Sequence, residues 1–166
     1  MSNVAFVALV GGLATATVID LRTRRIPNEL TAVIAGVGLG LAATGTSGIT
    51  VAASFTGFFL GLLLMSPGYL LGATGAGDVK LMGAVGALMG PGLVVSAFLF
   101  TAIAGGLLAV IVATKRHRLA ATLAQTGQLV TGPGAAPQVI RASTGASRFA
   151  YGPAIAVGSV VAALVA

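Results

Sequence analysis

LTAVIAGVGLGLAATGTSGITVAASFTGFFLGLLLMSPGYLLGATGAG, residues 30–77, contains no charged residue. A helix crossing the hydrocarbon core of a bilayer needs roughly 20 apolar residues, so this stretch is too long for one crossing. The turn-forming run Thr44-Gly45-Thr46-Ser47-Gly48 divides it into two candidate spans, about 30–43 and 49–71. The same reading extends outward in both directions. A first span covers about 4–19 and ends at Asp20 and the cluster Arg22, Arg24, Arg25. The uncharged stretch 81–114 divides at Gly90-Pro91-Gly92 into a short span, about 79–89, and an ample one, 93–114. A last span runs from about 149 to the end. The expected fold is an all-α, polytopic membrane bundle of about six spans forming a single domain over residues 1–166.

Composition agrees with that reading. Hydrophobic residues make up 57% of the 166 positions and charged residues only 7%, and the mean hydropathy is +1.05, outside the usual range of a soluble globule. The 25 glycines suit close approach of helices in lipid, where no hydrophobic effect drives helix against helix. There is no cysteine, which excludes disulfides and thiolate metal sites. The single histidine, His117, lies in the basic run Lys115-Arg116-His117-Arg118, so no metal or other cofactor is expected. The net charge of +6 lacks the interleaved aromatics of a nucleic-acid surface.

Topology explains the charge better. With six spans, all nine Lys and Arg residues (Arg22, Arg24, Arg25, Lys80, Lys115, Arg116, Arg118, Arg141 and Arg148) fall on one side, and the opposite loops have none. Basic residues are retained on the cytoplasmic side, so both termini are expected outside. The first segment lacks a preceding positive charge and reads as a retained span, not a cleaved signal. The loop at about 115–148 is expected to be cytoplasmic, with a short surface-lying helix around Leu119, Leu123 and Val130 or, as the alternative, a plain flexible loop.

Only three residues are acidic: Asp20, Glu29 and Asp78. Glu29 opens the second span, where the helix dipole favours a carboxylate. Asp20 lies in the last turn of the first span, where the dipole disfavours it, and an ionisable group at the hydrocarbon border is costly. Pairing with Arg22 or Arg24 is the structural alternative. Asp78 directly precedes the fourth span and has an alternative as its N-cap. The charge asymmetry nevertheless places both aspartates at the cytoplasmic border. Two facing carboxylates share a proton, so that one activates water while the other polarises a carbonyl. Gly75 and Gly77 before Asp78 keep the backbone open to an extended substrate strand, with ordinary turn glycines as the bland alternative.

Taken together, Asp20-Leu21-Arg22-Thr23-Arg24-Arg25-Ile26-Pro27-Asn28, Gly75-Ala76-Gly77-Asp78-Val79-Lys80-Leu81 and Tyr151-Gly152-Pro153-Ala154-Ile155 resemble the type IV prepilin peptidases. Ala150 departs from the proline many relatives have before the tyrosine. The resemblance implies a six-span aspartic endopeptidase of the bacterial or archaeal cytoplasmic membrane that removes the basic leader from pilin-like precursors. It implies Asp20 and Asp78 as catalytic residues, with Arg22, Pro27, Asn28, Gly75, Gly77, Lys80, Tyr151, Gly152 and Pro153 as supporting positions. Expected partners are a prepilin or pseudopilin precursor with a single apolar helix, membrane lipid and pilus-assembly proteins, with no nucleic acid. The chain lacks the cysteine-bearing insertion of bifunctional relatives, so it resembles the short, peptidase-only form of Flp/Tad pilus systems, without N-methyltransferase activity. Rival readings are a proton-coupled transporter, a non-enzymatic pilus-assembly scaffold and a presenilin-like G-x-G-D peptidase.

Overall fold

The structure, a computed structural model, describes residues 1–115 and 151–165; the expected surface helix of the long loop lies outside the described residues. Among the described residues the regular structure is entirely helical: α1 (Asn3–Thr23), α2 (Asn28–Ala43), α3 (Val51–Leu70), α4 (Ala76–Lys115) and α5 (Gly152–Val165).

Local chemistry sets several boundaries. Ser2 and Thr50 cap α1 and α3, their hydroxyl oxygens accepting from the amides of Ala5 and Ala53 at 3.2 and 3.1 Å. At its far end α1 closes on Arg24, a left-handed residue (φ 52°) whose N–H donates to the carbonyl of Asp20 at 2.8 Å. Pro27, with φ already near the helical value, leads into α2. The helix therefore opens at Asn28, two residues before the expected start.

α4 is two arms joined at Gly90, whose backbone (φ 78°, ψ 176°) is open essentially only to glycine. The arms fold back on each other. A straight helix from Gly77 to Gly105 would run about 40 Å, yet Gly77 packs on Ile26 just after α1, while Gly105 packs on Tyr151, whose neighbour Gly152 bonds to Asp20 near the end of α1. The first arm, residues 76–89, is about 21 Å long, short of the roughly 30 Å hydrocarbon core. Every residue from 81 to 90 is buried, because this arm is the axis of the bundle and contacts neighbouring helices on all sides.

Small residues bring α3 against that axis. A Cβ on Gly86 would strike the backbone of Gly57, so the two chains meet glycine on glycine. Ser54 one turn away donates its hydroxyl to the carbonyl of Ala87 at 2.6 Å. Around the axis, Leu9, Leu13, Met82, Val85, Leu88 and Ile155 form a continuous core. Outside it, Val7, Phe59, Leu63, Ile103 and Leu107 are each more than half exposed. Apolar surface on this scale marks contact with lipid or protein. Helices α1, α3 and α4 are long and apolar enough to cross a membrane, while α2 and α5 are shorter apolar helices. The molecule is a membrane protein.

Candidate active site

Both aspartates are buried, Asp20 at 4% and Asp78 at 7% exposure. Asp20 belongs to the inward stripe of α1 with Leu9, Leu13 and Ala16, one turn before the helix ends. The negative end of the α1 dipole opposes its charge, but a second helix compensates. Gly152, the first residue of α5, donates its N–H to Asp20 Oδ2 at 2.8 Å. That amide is one of the donors a helix N-terminus leaves without an internal partner, and the positive end of α5 therefore faces the carboxylate.

Asp78 is not the N-cap that the structural alternative offered. It is the third residue of α4, and its Oδ2 reaches back to accept the N–H of Gly75 at 2.9 Å, the return half of a capping box. Each carboxylate thus takes one backbone donor from a helix start. The two carboxylates come from different helices but share one end of the bundle, since the α1–α2 connection just after Asp20 packs on Gly77 just before Asp78.

The connection between α1 and α2 lies against this region. Ile26 is buried at 8% exposure within an otherwise exposed basic stretch. A Cβ on Gly77 would lie 3.1 Å from that of Ile26 and 3.3 Å from its carbonyl oxygen. Gly77 is thus a helical residue whose side-chain space is taken by Ile26. Gly75 is exposed, and a Cβ there would meet Asp78 Oδ2 at 3.2 Å. Ile26 was not singled out from the sequence; the signal was a lone apolar residue between Arg25 and Pro27.

Asn28 and Lys80 also meet: Lys80 Nζ donates to Asn28 Oδ1 at 2.8 Å, joining the starts of α2 and α4 on the exposed rim. The bond the structure gives Lys80 is thus to Asn28, not to Asp78. Arg22 is exposed, and Pro27 and Pro153 are half-buried at the entrances of α2 and α5. Tyr151, just before α5, is half-buried, and burial together with the charge of Asp78 pushes its phenol above the ordinary range. Asp20, Asn28, Asp78, Lys80, Tyr151 and Gly152 therefore gather at one end of the bundle.

A separate apolar cleft of about 220 Å³ lies between α1 and α2, lined by Ala8, Gly11, Thr15, Val33 and Val37. It uses a different face of α1 from the one carrying Asp20. Among the described residues no three His, Cys, Asp or Glu side chains group closely enough to hold a metal ion.

Residues 7–110 match the type IV leader peptidase family. The chain belongs to that family. The matched segment includes both aspartates, the α1–α2 connection and the reversal at Gly90, and it ends before α5. No curated protein and no solved structure matches the chain. Membership of the type IV leader peptidase family carries a peptidase role directed at prepilin-type substrates.

Proposed function

We propose that the protein is an aspartic endopeptidase that removes the basic leader of a pilin-like precursor at the cytoplasmic border of the membrane, with Asp20 and Asp78 as its catalytic pair. The observation that carries this reading is the pair itself: two buried carboxylates from separate helices at one end of the bundle, each oriented by one backbone N–H. The mechanism needs one carboxylate ionised and the other protonated, an arrangement that two carboxylates facing one substrate carbonyl support by sharing a proton.

In the cleavage step the ionised member takes a proton from water as the water oxygen bonds to the scissile carbonyl carbon. The protonated member supplies its proton to the carbonyl oxygen. As the tetrahedral species collapses, the carboxyl that took the water proton gives it to the leaving amine, the other carboxylate takes back the hydroxyl proton, and the C–N bond breaks, releasing leader and mature chain. No covalent intermediate is formed. The apolar helix of the precursor lies in the bilayer beside the bundle, with the scissile bond at its cytoplasmic end.

The orientation rests on charge. Arg22, Arg24, Arg25 and Lys80 are exposed at the aspartate end, whereas the connections at residues 44–50 and 90–92 carry no charge. With six crossings, counting the arms of α4 separately, this end is cytoplasmic and both termini lie outside. The setting is the cytoplasmic membrane of a bacterium or archaeon. The supporting positions act through structure: Asn28 and Lys80 join two helix starts, and Gly75 and Gly77 admit the carboxylate and Ile26.

Co-expression with candidate precursors of Flp/Tad type, read by the size and N-terminal sequence of the product, tests the reading. The expected product begins just before the apolar helix and carries an unmethylated N-terminus. A precursor set left uncut by folded, membrane-inserted protein, or a methylated product, would contradict it.

A further inference from the structure

The start of α5 carries a second arrangement beside the pair itself. Tyr151 ends the approach to the helix, its carbonyl accepting from the amides of Ala154 and Ile155 at 3.0 and 3.1 Å. The Gly152 amide is left outside the helix ladder and directed at Asp20. Two glycines make that arrangement sterically available. At Gly152 a Cβ would lie 2.8 Å from Asp20 Oδ2 and 3.1 Å from Asp20 Cβ, so any side chain there displaces the carboxylate. At Gly105, on the second arm of α4, a Cβ would overlap the Tyr151 ring, with 2.6 Å to Cε2 and to Cζ. Gly105 is thus the seat on which the Tyr151 ring rests, and the ring fixes the residue that precedes the donating amide.

We propose that Gly105, Tyr151 and Gly152 form a positioning unit for Asp20, in which the ring seated on Gly105 holds the Gly152 N–H against Asp20 Oδ2. The inference rests on Asp20 being one of the two catalytic carboxylates. The unit touches no reacting atom. It fixes the direction of the carboxylate through one hydrogen bond, and a misplacement of about 1 Å at a catalytic group costs up to about 100-fold in rate. The donor comes from the N-terminal end of α5, so it meets the carboxylate at the end of α1 where α1 itself offers no amide.

The test compares Gly152→Ala, Gly105→Ala and Gly106→Ala in the full-length protein, purified in detergent and assayed with the precursor that the wild-type protein cleaves. Gly106 is a matched control: it neighbours Gly105 on the same helix and gains the same propensity from alanine, but a Cβ there meets no atom within 4 Å. The expected result is a fall in kcat of roughly 10- to 100-fold for Gly152→Ala and about 10-fold for Gly105→Ala, with KM and thermal midpoint unchanged. Gly106→Ala should match the wild type. Wild-type kcat in both Gly105→Ala and Gly152→Ala would overturn the proposal. So would losses in which the thermal midpoint falls and KM rises together, since those mark a packing role. Asp20→Asn in the same assay separates the layers. An inactive Asp20→Asn beside fully active glycine variants defeats the positioning unit alone, whereas an active Asp20→Asn defeats the catalytic assignment and the unit with it.

Discussion

The two ends of the bundle are built differently. At the aspartate end, side chains and backbone far apart in sequence are bonded to each other, Lys80 to Asn28 and Gly152 to Asp20. At the opposite end the polar contacts are mostly local. Thr44 Oγ1 donates to the carbonyls of Gly40 and Leu41, Ile49 N–H donates to Ser47 Oγ, and Gly45, Gly48 and Gly90 take positive φ to turn the chain. The backbone bond from Ser2 N–H to the Ser47 carbonyl at 3.3 Å is a long-range tie there. One end is cross-linked between helices; the other is a set of turns. Burial reinforces the contrast, since the cross-linked end encloses two carboxylates while the turn end needs only to reverse the chain.

That contrast can be broken from its common core outward. Gly86→Ala places a methyl group on the Gly57 backbone and should cost about 3 kcal/mol, lowering the yield of folded protein and the thermal midpoint whichever end is probed. An unchanged midpoint would refute the glycine-on-glycine packing. Ile26→Ala empties the contact with Gly77 and should cost about 2 kcal/mol, with turnover falling about tenfold because the α1–α2 connection loosens beside Asp20. At the turn end, Gly90→Ala forces a side chain into a glycine-only conformation. It should also cost about 2 kcal/mol, but the protein that remains folded should cleave at the wild-type rate. The smallest effect belongs to Lys80→Met, which removes an exposed hydrogen bond worth about 1 kcal/mol or less. It should leave the thermal midpoint nearly unchanged. Equal activity losses in Gly90→Ala and Ile26→Ala would erase the functional distinction between the ends.

Much of the turn end was legible because its signals are local. Thr44 to Gly48 and Gly90 to Gly92 interrupt apolar runs with residues whose turn chemistry is readable one position at a time, and the structure reverses the chain at Gly90. The aspartate end was legible as composition: three acidic residues in an apolar chain draw attention, and the sequence of α1 shows Asp20 in a costly place. Its partner was not legible. The donor is a backbone amide 132 residues away, and every residue but proline carries one. The N-cap alternative for Asp78 comes close to the structure, since a carboxylate at the third helical position reaches back to the same orphan amides, and sequence spacing alone separates the two poorly. The contact of Gly77 with Ile26 was not legible for a related reason, since a glycine next to a turn looks the same whatever neighbour it admits.

The central claim is that Asp20 and Asp78 together perform the cleavage, and it is tested most directly by single-turnover cleavage of a precursor by purified wild-type, Asp20→Asn and Asp78→Asn proteins. The account predicts that each substitution lowers the rate at least about 1,000-fold, that both proteins retain the wild-type thermal midpoint and precursor binding, and that the double variant is no slower than either single one. Wild-type cleavage by either single variant would contradict it.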